Sequence, residues 1–411
     1  MVSLIFIILF VIYVNKRDTN RLGQLISPTV CFVLPTIIVA IVYDFIGPLL
    51  GFYSLNRSIY SEILFSALFF VAGGEIVCNV CNVCNVRMSS LKNKQYGQRI
   101  LNLKNALLKS KFYIIAIFVV ALLALRIYSL GGLNVLISQD LQSQYGSSGL
   151  FGHLMIFSIF SIIVLLSLHF SDSHKILSYL LLLASFICVM FYQVKSWLIF
   201  PIIVSVLYKR CVGIKQSYWK YLVAIIAIVI SFILGYVFTF SLSDTENQIF
   251  IVNHFLKYVF AGVGGWSEAI SGGYPVGQNP AYLLQPFSYF LGIEQAVADS
   301  RYGYVLINDN GEYTNVFTLI GGTILFAGRF WAYVYFFILG VFSYFLACKC
   351  INRINTGYLL AYSVLCTSLF LGFFGSYFTL LNVYELMFYS FVIQYFIRLN
   401  KYLPDSTNVV K

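Results

Sequence analysis

Six basic residues stand apart from the others in this 411-residue chain: Arg57, Arg126, Lys195, Lys257, Arg301 and Arg329. Arg126 falls inside FVVALLALRIYSL, Lys195 in the short link FYQVKSWLIFP, and Arg329 opens an apolar run behind Gly328. A cation in or beside hydrocarbon is costly, so it is a functional residue by default. Its natural chemistry there is to hold a polyanion at the bilayer edge, and arginine does so through two N–H donors at once. Snorkelling to lipid phosphates is the plain alternative for any one of them. Two proton acceptors accompany the cations. Glu268, in GVGGWSEAI, is expected to be shielded by Trp266 and the glycines, and desolvation raises a carboxyl group's pKa towards the range a general base needs. His254, in NHFLKYVF, carries an imidazole that titrates near neutrality. Glu294, Asp299, Asp309 and Glu312 lie in more polar stretches of the same segment, and residue type alone does not choose among these groups.

Other motifs carry less. The run Cys78 to Val86, CNVCNVCNV, repeats a thiol every third residue, roughly one helix face. An iron–sulfur reading lacks the fourth thiolate and the loop that clusters use, so the run reads as packing and no metal is expected. Asp244 and Glu246 could hold a divalent cation, but they read better as the polar start of a loop. Phosphate-loop, dinucleotide-binding, zinc-protease and serine-hydrolase signatures are missing from the sequence. Gly264–Gly265 and Gly321–Gly322 are isolated pairs suited to close approach of backbones.

The elements that must position these groups are membrane helices. Hydrophobic residues make up 60% of the chain and charged residues 10%, against about 25% charged in soluble domains. A bilayer needs about 20 apolar residues per helix. Spans fall near 2–14, 29–46, 60–80, 112–130, 150–170, 176–194, 197–208, 221–240, 330–348, 357–376 and 381–397, about eleven in all. The first apolar stretch carries no cleavage signal and is read as a retained span. The fold class is therefore an all-α polytopic membrane protein, with residues 1–411 forming one integral membrane domain. The +11 net charge does not indicate nucleic acid. Twenty of the 26 Lys and Arg residues fall in alternate loops, which orientation explains. The basic loop 87–111 is thereby cytoplasmic, and the smaller loop 131–149 and the large segment 241–328, between spans eight and nine, lie outside. The six exceptions all map to the outer face. Nine cysteines in apolar or inner-face stretches do not form a secreted disulfide framework.

Segment 241–328 is too apolar and aromatic for disorder and is long for a connection without a function. It carries Tyr258, Trp266, Tyr274, Tyr282, Asn308 and Asn315 among others, side chains that suit sugar rings and hydroxyls but also any bilayer-hugging loop. It closes on Thr314-Asn315-Val316-Phe317-Thr318, followed by a glycine-bearing entry into the next helix. A large late outer loop with this N-x-[FY]-T close resembles the Wzy-type O-antigen and oligosaccharide repeat-unit polymerases. Arg126 with Gly131-Gly132, the small outer loop 131–149, the basic link at Lys195, and Tyr258 with Gly262 fit the same plan. Residue-level matching is confined to about 315–328. Phe326-Ala327-Gly328 stands where members often carry Asp-Phe-Gly, so the glycine is kept and the acid is lost.

The resemblance implies a glycosyltransferase at the periplasmic side of a bacterial inner membrane. It would join undecaprenyl-diphosphate-linked oligosaccharide repeat units, with membrane lipids around it and a chain-length regulator protein as a further partner. Arg126, Lys195, Arg301 and Arg329 would bind the substrate diphosphate, and Glu268 or His254 would take the proton of the attacking hydroxyl. Asn315, Thr318, Trp266 and Tyr258 would bind glycan or structure the loop. Cofactors, metals and nucleic acid have no part in that reaction, whose energy resides in the diphosphate linkage. An O-antigen ligase relative and a lipid-linked oligosaccharide flippase or other transporter are the alternatives.

Overall fold

A computed structural model describes residues 2–81, 112–131, 149–167, 175–192, 194–214, 246–272, 279–299, 303–309, 311–352 and 355–402, with scattered positions between 217 and 230. The basic loop 87–111, nearly all of the loop 131–149, Arg301 and most of the apolar stretch 221–240 lie outside the described residues. The helices are α1 (Val2–Leu22), α2 (Pro28–Ile46), α3 (Ser58–Val80), α4 (Phe112–Ser129), α5 (Gly149–Ser167), α6 (Lys175–Met190) and α7 (Lys195–Cys211). They continue with α8 (Glu246–Ser271), α9 (Leu319–Ala327), α10 (Arg329–Asn352), α11 (Thr356–Phe370) and α12 (Leu381–Tyr402). Among the described residues, six helical segments are long and apolar enough to cross a membrane: α2, α3, α4, α5, α10 as far as Ile351, and α11 extended to Phe373. Large apolar side chains stand exposed along them, Phe118 and Leu125 of α4 and Phe65 and Phe69 of α3 among them. This is the surface of an all-helical membrane protein, since a soluble protein would cover such stripes.

The chain divides into two compact units, one of residues 1–87, 248–353 and 364–384, the other of 88–247, 354–363 and 385–411. The first unit is built on the pairing of α3 with α10. Glycines set that contact: Gly73 and Gly340 lie against the backbones of Phe337 and Phe70, and Gly74 against the Tyr344 ring. Small residues let membrane helices approach to backbone distance, where dispersion contacts are densest. Phe32 of α2 closes the seam, stacked on Phe70 at 4.6 Å and tilted against Phe336 at 5.4 Å. A β-carbon on Gly340 would overlap the Phe70 carbonyl. Gly340→Val should therefore cost about 3 kcal/mol of stability, as overpacking does in other cores, and lower the unfolding midpoint of the purified protein. An unchanged midpoint would exclude this close seam.

Toward one end of the seam lies a buried ionic network. Asp18 is 1% exposed and accepts hydrogen bonds from Arg17, Ser27 and Tyr344. Glu75 accepts from Arg17 and, at 2.8 and 2.9 Å, from Arg21. Thr29 shares a hydrogen bond with the Tyr344 hydroxyl at 2.8 Å. Arg17 and Arg21 are thus more than orientation markers: they join α1 to α3 and, through Asp18 and Tyr344, to α2 and α10. Ser27 also caps α2, accepting from Val30 N at 3.3 Å, with Pro28 in the first turn where its missing N–H costs nothing.

In the second unit α5 packs against α4, α6 and α7. Tyr113 of α4 meets Ser178 of α6 at 3.0 Å. Pro201 interrupts the α7 ladder, and its carbonyl accepts from Ser205 Oγ at 2.7 Å. The described part of α12 lies on α5 through Tyr389, which meets the Phe157 and Phe160 rings at 5.5 and 5.7 Å.

Candidate functional site

The segment read from sequence as an outer loop is held by one long helix. α8 runs from Glu246 to Ser271, and its C-terminal half is buried from Phe260 to Ser267. Three glycines make that possible, each opening a different side of the helix to a neighbour. A β-carbon on Gly262 would lie 2.5 Å from the Phe373 carbonyl, on Gly264 2.9 Å from the Tyr43 hydroxyl, and on Gly265 2.6 Å from Thr314 Cγ2. Trp266 is completely buried over Gly321 of α9.

Thr318 fixes α9 by accepting from Gly321 N at 2.8 Å, while its own N–H reaches the Gly262 carbonyl at 3.3 Å. All nine residues of α9 are buried. At about 1.5 Å per residue it is roughly 14 Å long, too short for a bilayer core of about 30 Å. Gly328, at φ +85°, then turns the chain so that α10 opens on Arg329.

Arg329 does not stand alone. Its Nε meets Glu62 Oε1 at 2.9 Å, and Tyr333 donates to Glu62 Oε2 at 2.5 Å. Tyr333 is stacked flat on Phe69 at 5.1 Å. Both oxygens of the nearly buried Glu62 are therefore committed, and the Arg329 side chain is anchored at one nitrogen while remaining 59% exposed.

Around the C-terminal end of α8 a second group assembles. Asn56, just ahead of α3, donates from its backbone to Ser267 Oγ at 2.7 Å and from its side chain to Ser271 Oγ at 3.0 Å. Strands β1 (Val305–Leu306) and β2 (Tyr313–Thr314) form an antiparallel hairpin, with Val305 opposite Thr314 and Leu306 opposite Tyr313. Its turn is closed by Asn308, which donates to Glu312 Oε2 at 2.8 Å and accepts from Glu312 N at 3.0 Å. The hairpin is latched to the α2–α3 connection by a Phe52–Asn308 bridge and by Tyr53 N to Ile307 O at 3.1 Å. Tyr53 lies close enough to Asp309, and both Tyr43 and Tyr53 close enough to Glu268, to feel their charge. Glu268 is half-buried, and that burial pushes its carboxyl above the ordinary carboxylate value. Glu268, Tyr43, Tyr53 and Asp309 thus form one cluster of carboxylates and phenols. It lies at the end of the unit where Asn56 leads into α3, whose second turn carries Glu62, the partner of Arg329.

The residues singled out from sequence meet different fates. Glu268 is in this cluster, with Tyr43 packed on the Gly264 side of α8 near enough to feel its charge. Trp266, two positions earlier in the helix, faces α9 instead. His254 also lies on α8, 14 residues earlier, which is about 21 Å along the axis. The two proposed bases are therefore not one constellation. Tyr258 is stacked on Phe374 at 5.4 Å, Trp266 is buried and Thr318 is a cap, so these three hold the fold, whereas Asn315 is exposed. Arg126 and Lys195 belong to the second unit. Arg126, in the last turn of α4, lies 5.0 Å from the Phe151 ring centre, and Lys195 is the first residue of α7.

Acids inside apolar runs were the signal that sequence reasoning passed over. Glu62 sits in SEILF, Glu75 in GGEIV and Glu385 in VYELMF, and each meets a basic partner. Glu385 of α12 holds His153 Nδ1 of α5 at 2.9 Å, leaving a ring that is 56% exposed.

Neither the curated proteins nor the solved structures hold a match to this chain. Residues 63–402 match the family described as "Family of unknown function (DUF6337)", and the chain belongs to that family.

Proposed function

We propose that this protein is a glycan polymerase that joins undecaprenyl-diphosphate-linked oligosaccharide repeat units at the periplasmic face of a bacterial inner membrane. The observation that carries the reading is Arg329: an exposed guanidinium at the end of a membrane-crossing helix, held by Glu62 and at the same end of its unit as the Glu268 cluster. In the reaction a sugar hydroxyl of one repeat unit attacks the anomeric carbon of another, the bond from that carbon to phosphate oxygen breaks, and undecaprenyl diphosphate leaves. Arg329 stabilises the charge that develops on the leaving diphosphate, as a preorganised donor does without reorganisation. Glu268 takes the hydroxyl proton, a task suited to a carboxyl whose affinity for protons is raised by burial. The loop close at Asn315 to Thr318 and its likeness to Wzy-type polymerases support the same reading. The eleven-span map, the outward placement of 241–328 and a diphosphate role for Arg126, Lys195 and Arg301 are parts of this proposal.

A lipid-linked oligosaccharide flippase is the second reading. It is favoured by Glu62 and Glu75, two arginine-paired acids inside a helix long and apolar enough to cross a membrane, groups that in transporters mark a substrate path. Deleting the gene separates the two. Loss of a polymerase leaves single-repeat products on the outer surface, whereas loss of a flippase leaves lipid-linked units on the cytoplasmic leaflet. Full-length polymer in the deletion strain would refute both.

A further inference from the structure

We infer that the chain from Asn279 to Ile293 is an interfacial foot, a rigid projection of the first unit whose tip seats in the bilayer surface, a role independent of the reaction assigned above. The stretch NPAYLLQPFSYFLGI contains no charged side chain. It folds as a 3₁₀ helix, Pro280–Phe287, that runs into a single α-helical turn, Ser288–Leu291. Asn279 ties the neck: its side chain accepts from Ala281 N at 3.0 Å and donates to the Ala296 carbonyl at 2.8 Å. At the tip Gly292, at φ +64°, reverses the chain, and Ile293 N closes on the Ser288 carbonyl at 3.0 Å. One side of the projection is packed, with Tyr282 buried against Phe326 of α9 at 4.8 Å and Pro286 buried beside it in sequence. The other side is bare. Tyr289 is 79% exposed and Phe290 75%, and Leu284, Phe287 and Leu291 are exposed as well.

A contiguous apolar surface of this kind marks a protein partner or a membrane, and its position selects the membrane. Phe287 meets Tyr384, in the first turn of α12, at 5.2 Å. The 3₁₀ helix also packs on Tyr377–Thr379, in the connection that follows the crossing segment ending at Phe373. α9, its other support, leads through Gly328 into the crossing helix α10, whose first turn exposes Phe330 and Trp331. Both supports therefore stand where crossing segments end, the depth at which aromatic rings gather among headgroups. An element lying there sinks its apolar side about 5–10 Å into the headgroup–acyl boundary. With no cation in the stretch, the foot has no demand for anionic lipid, and zwitterionic headgroups suffice.

Phe290→Trp, in the full chain reconstituted into phosphatidylcholine liposomes, puts a reporter on the tip. The wild-type signal of the four native tryptophans is subtracted. The added emission should be largely lost when the lipid chains are brominated, and little changed by aqueous iodide. Loss to iodide with none to bromine would place the tip in water, and protection from both would mean that a second copy of the chain covers it. Either result overturns the foot. A second measurement needs no reporter. Backbone amides of residues 284–293 should exchange slowly with deuterium in the liposomes, and faster when Tyr289→Asp and Phe290→Asp are combined. The unfolding midpoint of that double variant in detergent should match wild type, because the two exposed rings meet each other at 5.8 Å and do not fill the core. Equal exchange in wild type and double variant would likewise overturn the proposal.

Discussion

Replacing Arg329 by alanine is expected to abolish long-chain glycan while leaving the protein inserted and folded. The side chain is 59% exposed and Tyr333 still donates to Glu62 after its loss, so the change removes charge from the rim rather than mass from the core. Deleting one preorganised donor to a developing oxyanion lowers rates by about a hundred- to a thousandfold. A processive ladder would collapse to single repeats at that cost. Arg329→Lys keeps the charge but loses the Nε contact to Glu62 and the two-pronged geometry, so a shortened ladder is expected. Silver-stained gels of surface polysaccharide, read beside immunoblots of membrane-inserted protein, make the measurement. A normal ladder from Arg329→Ala would remove the reason for placing the diphosphate there.

The second large effect is structural. Asp18→Ala removes the acceptor on which Arg17, Ser27 and Tyr344 converge and leaves a buried guanidinium short of charge. Breaking one side of a buried ion pair costs about 3–5 kcal/mol, a large share of the 5–15 kcal/mol that holds a typical domain folded. A steep fall in the thermal midpoint is expected, with poor accumulation in membranes. Asp18→Asn should be milder, because it keeps an acceptor for Ser27 and Tyr344. Equal midpoints for wild type and Asp18→Ala would mean that the network contributes nothing to holding α1 on α3 and α10.

The membrane class was legible from composition, and the six described segments long and apolar enough to cross a membrane coincide with apolar runs because both follow from the same 20-residue requirement. Helix 246–271 was not, since its charged and glycine-rich sequence reads as loop until the partners of those glycines are known. The same holds for α9, whose nine buried residues look from sequence like the start of the helix that follows them. For the site, Glu268 and Arg329 could be picked out by type and location. Their partners could not, because Glu62 and Tyr43 approach them from elements about 270 and 225 residues away in sequence, a separation that periodicity does not encode. Trp266 misled for a related reason. Adjacency to Glu268 suggested shielding, but residues two apart on a helix face opposite ways.

The most direct test is chain extension by the purified protein in liposomes supplied with undecaprenyl-diphosphate-linked repeat units from the host. Wild type should yield a ladder of polymers with release of undecaprenyl diphosphate, and Arg329→Ala should leave the units unjoined. Absence of any extension by folded wild type under conditions that keep the lipid-linked units intact would contradict the account.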